Sequence, residues 1–192
     1  MAVTIDGTNG LTFNNGSTQA SAPALTLLAT ITPTAATTIQ SLNLFTSAYS
    51  TYLIVYNNVQ TTSNASTSVI DMRFAIAGAV DSSSNYYTLG YTGTTSSVGT
   101  YTSLNFSVSA MYTAYQGCSG QLWLTNTNDT TTSGIKYFSG STAMPSGSGP
   151  VVMANGGGMF TGTGAITGFS MFLRNGVNFA TQGSVRVYGV SN

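Results

Sequence analysis

Apolar and polar residues alternate along most of this chain with a period of two. The last stretch shows the pattern plainly. Phe169, Met171 and Leu173 fall on one side of an extended backbone, and Ser170, Phe172 and Arg174 on the other. Arg174-Asn175-Gly176 then supplies turn chemistry, because Asn and Gly tolerate positive φ at little cost. After a bridge through Phe179 and Gly183, Ser184 to Val190 alternates again. The pattern predicts two half-buried strands joined as a closing hairpin. Upstream, Tyr52-Leu53-Ile54-Val55-Tyr56 is apolar on both faces, as a central strand would be, with Asn57-Asn58 ending or bulging it. Ile70, Met72, Phe74 and Ile76 share one face of another strand. Asp71 and Arg73 share its opposite face, which sets up a mutual or cross-strand ion pair worth about 0–1 kcal/mol when exposed. Leu104, Phe106, Val108, Ala110 and Tyr112 form the clearest alternation of all.

Shorter strand candidates are Leu25 to Ile31, Thr38 to Leu44, Leu122 to Leu124, Ile135 to Phe138 and Val151 to Met153. Phe45 to Ser50 reads as a single helical turn, and Ser139 to Gly149 as a loop. Together these elements predict an all-β fold: an antiparallel β-sandwich, jelly-roll-like, of roughly eight to ten strands. Residues 1–24 differ from the rest. Val3 and Ile5 alternate, Asp6 to Gly10 turns, Leu11 and Phe13 alternate, and Asn14-Asn15-Gly16 turns again. Pieces this short bury little alone, since an isolated hairpin is marginal in water. We therefore read 1–24 as a short β arm for attachment, with Val3, Ile5, Leu11 and Phe13 as its contact residues, and 25–192 as the β-sandwich domain. The competing reading of the arm is an ordinary first hairpin of the main sheet.

Composition sharpens this picture. Hydrophobic residues make up 42% of the chain, enough for a core, while charged residues make up only 4%. An average globular protein is about 25% charged. The net charge is zero, which removes the electrostatic basis for binding nucleic acid or an anionic membrane. It also removes the self-repulsion that keeps monomers apart, so we expect assembly with other copies. The single cysteine, Cys118, rules out an internal disulfide and reads as a small buried residue at a strand start. The opening residues lack a basic, apolar leader pattern, so synthesis in a cytosol is expected. The run from Ala22 to Ala36 is too short and too polar to span a bilayer.

The chain contains no histidine and no glutamate, and its aspartates, Asp6, Asp71, Asp81 and Asp129, are scattered. Neither a Ser-His-Asp nor a Cys-His nucleophile can be assembled from this inventory. Zinc ligation and paired-carboxylate glycoside chemistry are equally poorly supplied. We expect no enzyme, no catalytic residues, no cofactor and no metal. Gly156-Gly157-Gly158 and Gly162-Thr163-Gly164 lack the lysine and helix of a phosphate loop and read as flexible connections. The polar stretch Asp81 to Gly99 reads as a long loop. Tyr86, Tyr87, Tyr91 and Tyr101, in or beside it, can cover a sheet edge, anchor a partner or stack on a sugar.

Thr4-Ile5-Asp6-Gly7-Thr8-Asn9-Gly10-Leu11-Thr12-Phe13, followed by Asn15-Gly16-Ser17-Thr18-Gln19, resembles the start of many bacteriophage tail-fibre and appendage proteins. Ile166-Thr167-Gly168-Phe169, through Phe179, to Gly183-Ser184-Val185-Arg186-Val187-Tyr188-Gly189-Val190 resembles the closing strands of small phage structural proteins. Tyr49, Tyr52-Leu53-Ile54-Val55 and Met72-Arg73 fit the same pattern. The resemblance implies a structural virion component, often a homotrimer, placed as capsid decoration or as a tail or head appendage. Its partners would be other copies of itself and other virion proteins. The alternative is a host-surface or carbohydrate-recognition module using residues 81–101.

Overall fold

A computed structural model of the protein describes residues 4–6, 10–12, 18–19, 25–62, 70–92, 95–105, 117–131, 134–146 and 149–190. The described residues are all-β and contain no helix. β1 (Thr4–Asp6), β2 (Gly10–Thr12) and β3 (Thr18–Gln19) form a small sheet of their own in that order. Next come β4 (Leu25–Ile31), β5 (Thr38–Ser41), β6 (Thr51–Val59), β7 (Ile70–Ile76) and β8 (Ala79–Val80). β9 (Tyr86–Thr92), β10 (Thr95–Tyr101), β11 (Leu104–Asn105) and β12 (Cys118–Thr125) follow. The chain closes with β13 (Lys136–Ser146), β14 (Gly149–Phe160), β15 (Ile166–Leu173) and β16 (Ser184–Val190). An eight-stranded antiparallel sheet runs β10-β9-β14-β13-β12-β6-β16-β4, and a five-stranded one runs β11-β7-β15-β5 with β8 paired to β7.

Both sheets feed one apolar core. The larger contributes Tyr52, Ile54, Tyr56, Leu122, Leu124, Phe138, Val185 and Val187; the smaller contributes Ile70, Met72, Phe74, Phe169, Met171 and Leu173. Every second residue of these strands turns inward, so the period-two pattern becomes burial directly. Aromatic rings join the two sides. Phe74 meets Phe160 edge-on at 5.4 Å and Phe138 at 6.3 Å, and Phe45 stacks on Tyr52 at 4.1 Å.

Several sequence expectations are realised in place. Tyr52 to Tyr56 lies in β6, a central strand flanked by β12 and β16. Asn58 has a φ of 50° beside a register shift opposite Cys118 and Gly120, which is the anticipated bulge. Cys118 begins its strand fully buried. Of the Leu104 to Tyr112 alternation, only Leu104 and Asn105 fall within the described residues, paired with Met72 and Asp71.

Other expectations are corrected. The closing hairpin does not form. β15 is paired on both sides, by β7 and β5, leaving no edge for β16, which inserts between β6 and β4 in the other sheet. The turn chemistry is real, with Gly176 at φ 74° and its N–H bonded to Leu173 O at 2.9 Å, but the chain then crosses between sheets. Phe179 anchors the crossing by bridging to Thr61 and donating its N–H to Ala36 O at 2.9 Å. Tyr86–Thr92 and Thr95–Tyr101 pair as antiparallel strands β9 and β10, not as a loop. Ser139 to Gly149 is mostly strand, and residues 45–50 hold a turn without a helix.

The glycine triplet is likewise strand, not linker. Gly156, Gly157 and Gly158 sit within β14, hydrogen-bonded between β13 and β9. A Cβ on Gly158 would collide with the Tyr87 carbonyl oxygen and come within 2.6 Å of the Phe138 ring. The missing side chain lets these aromatics pack. Gly158→Ala is expected to cost about 1–3 kcal/mol through overpacking, seen as a lower urea midpoint at unchanged slope. A midpoint equal to that of the native chain would show that the packing there yields freely.

Candidate functional site

Among the described residues, the outward face of the eight-stranded sheet has the character of an interface. Register places Leu27, Tyr188, Leu53 and Trp123 in one row across β4, β16, β6 and β12. A second row runs through Thr125, Tyr137, Met159 and Tyr87. Cross-strand neighbours on one face touch, so apolar side chains adjoin along each row, with Thr125 the polar member of the second. Leu53 is only 5% exposed even on this outer side, while Leu27 is 52%, Tyr137 55% and Met153 70% exposed. The eight strands carry two charged residues, Arg186 on the outer side and the buried Lys136. β4 is an edge strand with no charge and no proline, so none of the usual devices against strand-to-strand pairing is present there apart from the bulge between Val187 and Tyr188.

The tyrosines expected to act together are divided by the pleat. Tyr86 faces inward and is fully buried. Its hydroxyl donates to Asp81 O at 3.0 Å and accepts from Phe74 N at 2.8 Å, while its ring lies 4.8 Å from Phe160. It is a core residue, and its expected role as an outside contact is corrected. Tyr87, half-buried, stands on the opposite side beside Met159. Tyr101 is 40% exposed at the sheet edge. Tyr91 lies in β9 opposite Asn155 and Ser96, but its side chain is outside the described residues. In the arm, Ile5 of β1 pairs with Leu11 of β2, which brings two of the four anticipated contact positions together. Val3 and Phe13 lie outside the described residues.

The ionisable groups are tied down individually. Of the mutual and cross-strand pairings expected for Asp71, the cross-strand one forms, with Arg174 and not Arg73 as its partner. Asp71 is 2% exposed and receives Arg174 at two points, Nε to Oδ2 at 3.1 Å and Nη2 to Oδ1 at 3.0 Å, plus the Ser103 hydroxyl at 3.0 Å. Arg174 lies just past β15, adjacent to β7, so the fold supplies a partner 103 positions away in sequence. Asp81 closes its own loop, accepting from the Ser83 N–H at 2.7 Å and from the Ser83 hydroxyl. Asp129 accepts from Thr131 N at 2.8 Å and Thr131 Oγ1 at 2.7 Å, bonds that hold its carboxyl below the usual range. Lys136, 1% exposed, donates to Gly162 O at 2.8 Å, and burial lowers its pKa. Among the described residues no three acidic, histidine or cysteine side chains converge on a metal position. No protein-family model matches the chain, and no curated protein matches it in sequence.

Two predictions follow from these placements. Arg174→Ala should strip the buried Asp71 carboxylate of its cation and cost about 1–3 kcal/mol. That is less than for a wholly buried pair, because the guanidinium is 53% exposed. Denaturant unfolding beside Arg186→Ala, expected to be near neutral, reads the difference. The second concerns pH. Burial pushes the Cys118 thiol up to about 12 from 9.0 and raises the Tyr56 and Tyr86 hydroxyls above 10.0. The unfolded chain therefore loses these protons first. The stability they confer is complete below the unfolded values and is lost as pH rises through the folded ones. Lys136 acts oppositely, its lowered pKa letting stability rise with pH below 10.5. With no His or Glu in the chain, the melting temperature should stay flat from about pH 5 to 8.5 and fall above about pH 9. A pronounced slope between pH 5 and 8 would contradict this account.

Proposed function

We propose that the protein is a non-enzymatic structural subunit of a bacteriophage particle, made in the bacterial cytoplasm and self-associating in the virion as capsid decoration or as a tail or head appendage. In this reading the two sheets are the layers of a jelly-roll-like β-sandwich, and residues 1–24 are the arm that attaches it. The observation that carries the proposal is the outer face of the eight-stranded sheet. Leu27, Tyr137 and Met153 stand exposed on a surface whose strands contain no acidic residue. Its strands bring a single outward charge, Arg186, so copies can approach it with little like-charge repulsion and without the desolvation of ion pairs. A second reading, host-surface or carbohydrate recognition, draws on the exposed Tyr101 and half-buried Tyr87, and no longer on Tyr86.

Sedimentation velocity over about 1–50 μM should show an oligomer, with a trimer the expected species. Leu27→Lys with Met153→Lys should shift it towards monomer, because each lysine must be desolvated or repelled in the contact. A native chain that is monomeric throughout that range would sink self-association. Imaging of purified particles carrying a labelled subunit tests the virion assignment. Deleting residues 1–24 should leave the main sheets folded and abolish incorporation.

A further inference from the structure

The outer face of the five-stranded sheet carries a cleft of about 450 Å³ that plays no part in the interface above. Register sets its floor. Ser170 of β15 lies between Gln40 of β5 and Arg73 of β7, and Phe172 lies between Thr38 and Asp71. Arg174 stands on the rim.

Three features of this cleft point to a ligand. The first is Arg73, whose guanidinium carbon sits 4.7 Å from the Phe172 ring centroid and whose Nε donates to Thr102 O at 3.0 Å. Those two contacts hold the guanidinium in place over the ring. Its terminal nitrogens have no acceptor among the described residues. The second is charge. Arg174 on the rim is answered by Asp71 at two points, whereas Arg73 has no carboxylate within ion-pair distance among the described residues. The cleft therefore holds one uncompensated positive charge. The third is Ser170, 4% exposed, whose hydroxyl lines the cleft and has no hydrogen-bond partner among the described residues. A buried hydroxyl in that condition carries a desolvation cost unless something in the cleft bonds to it.

We propose that this cleft binds an anionic sugar residue carrying one carboxylate, of the uronic-acid type. A planar carboxylate matches the free end of the Arg73 fork. A doubly charged phosphate would call for a second cation, and Arg174 is already engaged. The Ser170 and Thr38 hydroxyls and the Gln40 amide are neutral donors and acceptors suited to ring hydroxyls. The volume lies within the range of small-ligand sites, about 300–1,000 Å³. This assignment rests on the cleft alone and stands or falls independently of the virion reading.

Titration of the full chain with trigalacturonate, followed by calorimetry or by amide chemical shifts, tests it. Saturable binding is expected at about 0.1–1 mM. Neutral galactotriose should not saturate. Arg73→Gln should weaken trigalacturonate binding about tenfold or more, through loss of the charged fork. Ser170→Ala should weaken it about threefold. Arg186→Gln, on the other sheet, should leave it unchanged. Should Arg73→Gln lose its native melt, Gln40→Ala replaces it, since that side chain is exposed, and a few-fold weakening is again expected. The proposal is overturned by any of four results: no saturable binding, equal binding of the neutral sugar, acetate binding as tightly as trigalacturonate, or no weakening by the cleft variants at Arg73 (or Gln40 in its place) and Ser170.

Discussion

The contact of Phe74 with Phe138 and Phe160 is where the two sheets become one molecule. A sheet with one apolar face is unstable alone in water, and each sheet here covers the other's. Gly158 of β14 serves this contact by leaving room for the Phe138 ring on the neighbouring strand. Tyr86 serves it too, by bringing a hydroxyl into the interior and satisfying it on two backbone groups, Phe74 N and Asp81 O. Because aromatic rings fill the inside, side chains of the opposite phase are left for the outside. That is how the apolar rows of the larger sheet and the cleft of the smaller one come to exist.

The scarcity of charge shapes everything outside the core. With four cations and four anions in 192 residues, each ionic group has an individual fate and no general surface field exists. Arg174 is spent on Asp71, Lys136 is taken into the interior against Gly162 O, and Arg73 is left with an open end.

The strands were largely legible in the sequence. β6, β7, β15 and β16 show a period-two or doubly apolar pattern that matches their burial closely. The Asn57-Asn58 bulge was legible because Asn tolerates positive φ. The β9–β10 pair was not, because its Thr, Ser and Gly positions look like a loop until neighbouring strands satisfy their backbone. Tyr86 and Tyr87 illustrate the same blindness. Adjacent identical residues give no phase, and only the pleat decides which one enters the core.

What the sequence determined by itself was local: extended backbone, the phase of most strands, the turn at Gly176, and a chemistry without histidine or glutamate. These follow from steric preferences and composition, which act over a few residues. Tertiary structure alone decided who stands beside whom. It sent β16 to the opposite sheet from β15, because both edges of β15 were taken. It gave Asp71 to Arg174 in place of Arg73, and gathered Gln40, Arg73 and Ser170 from three separated strands into one cleft. Pairing across a sheet depends on which edges remain free and which faces need covering, and neither is a property of any short stretch of chain.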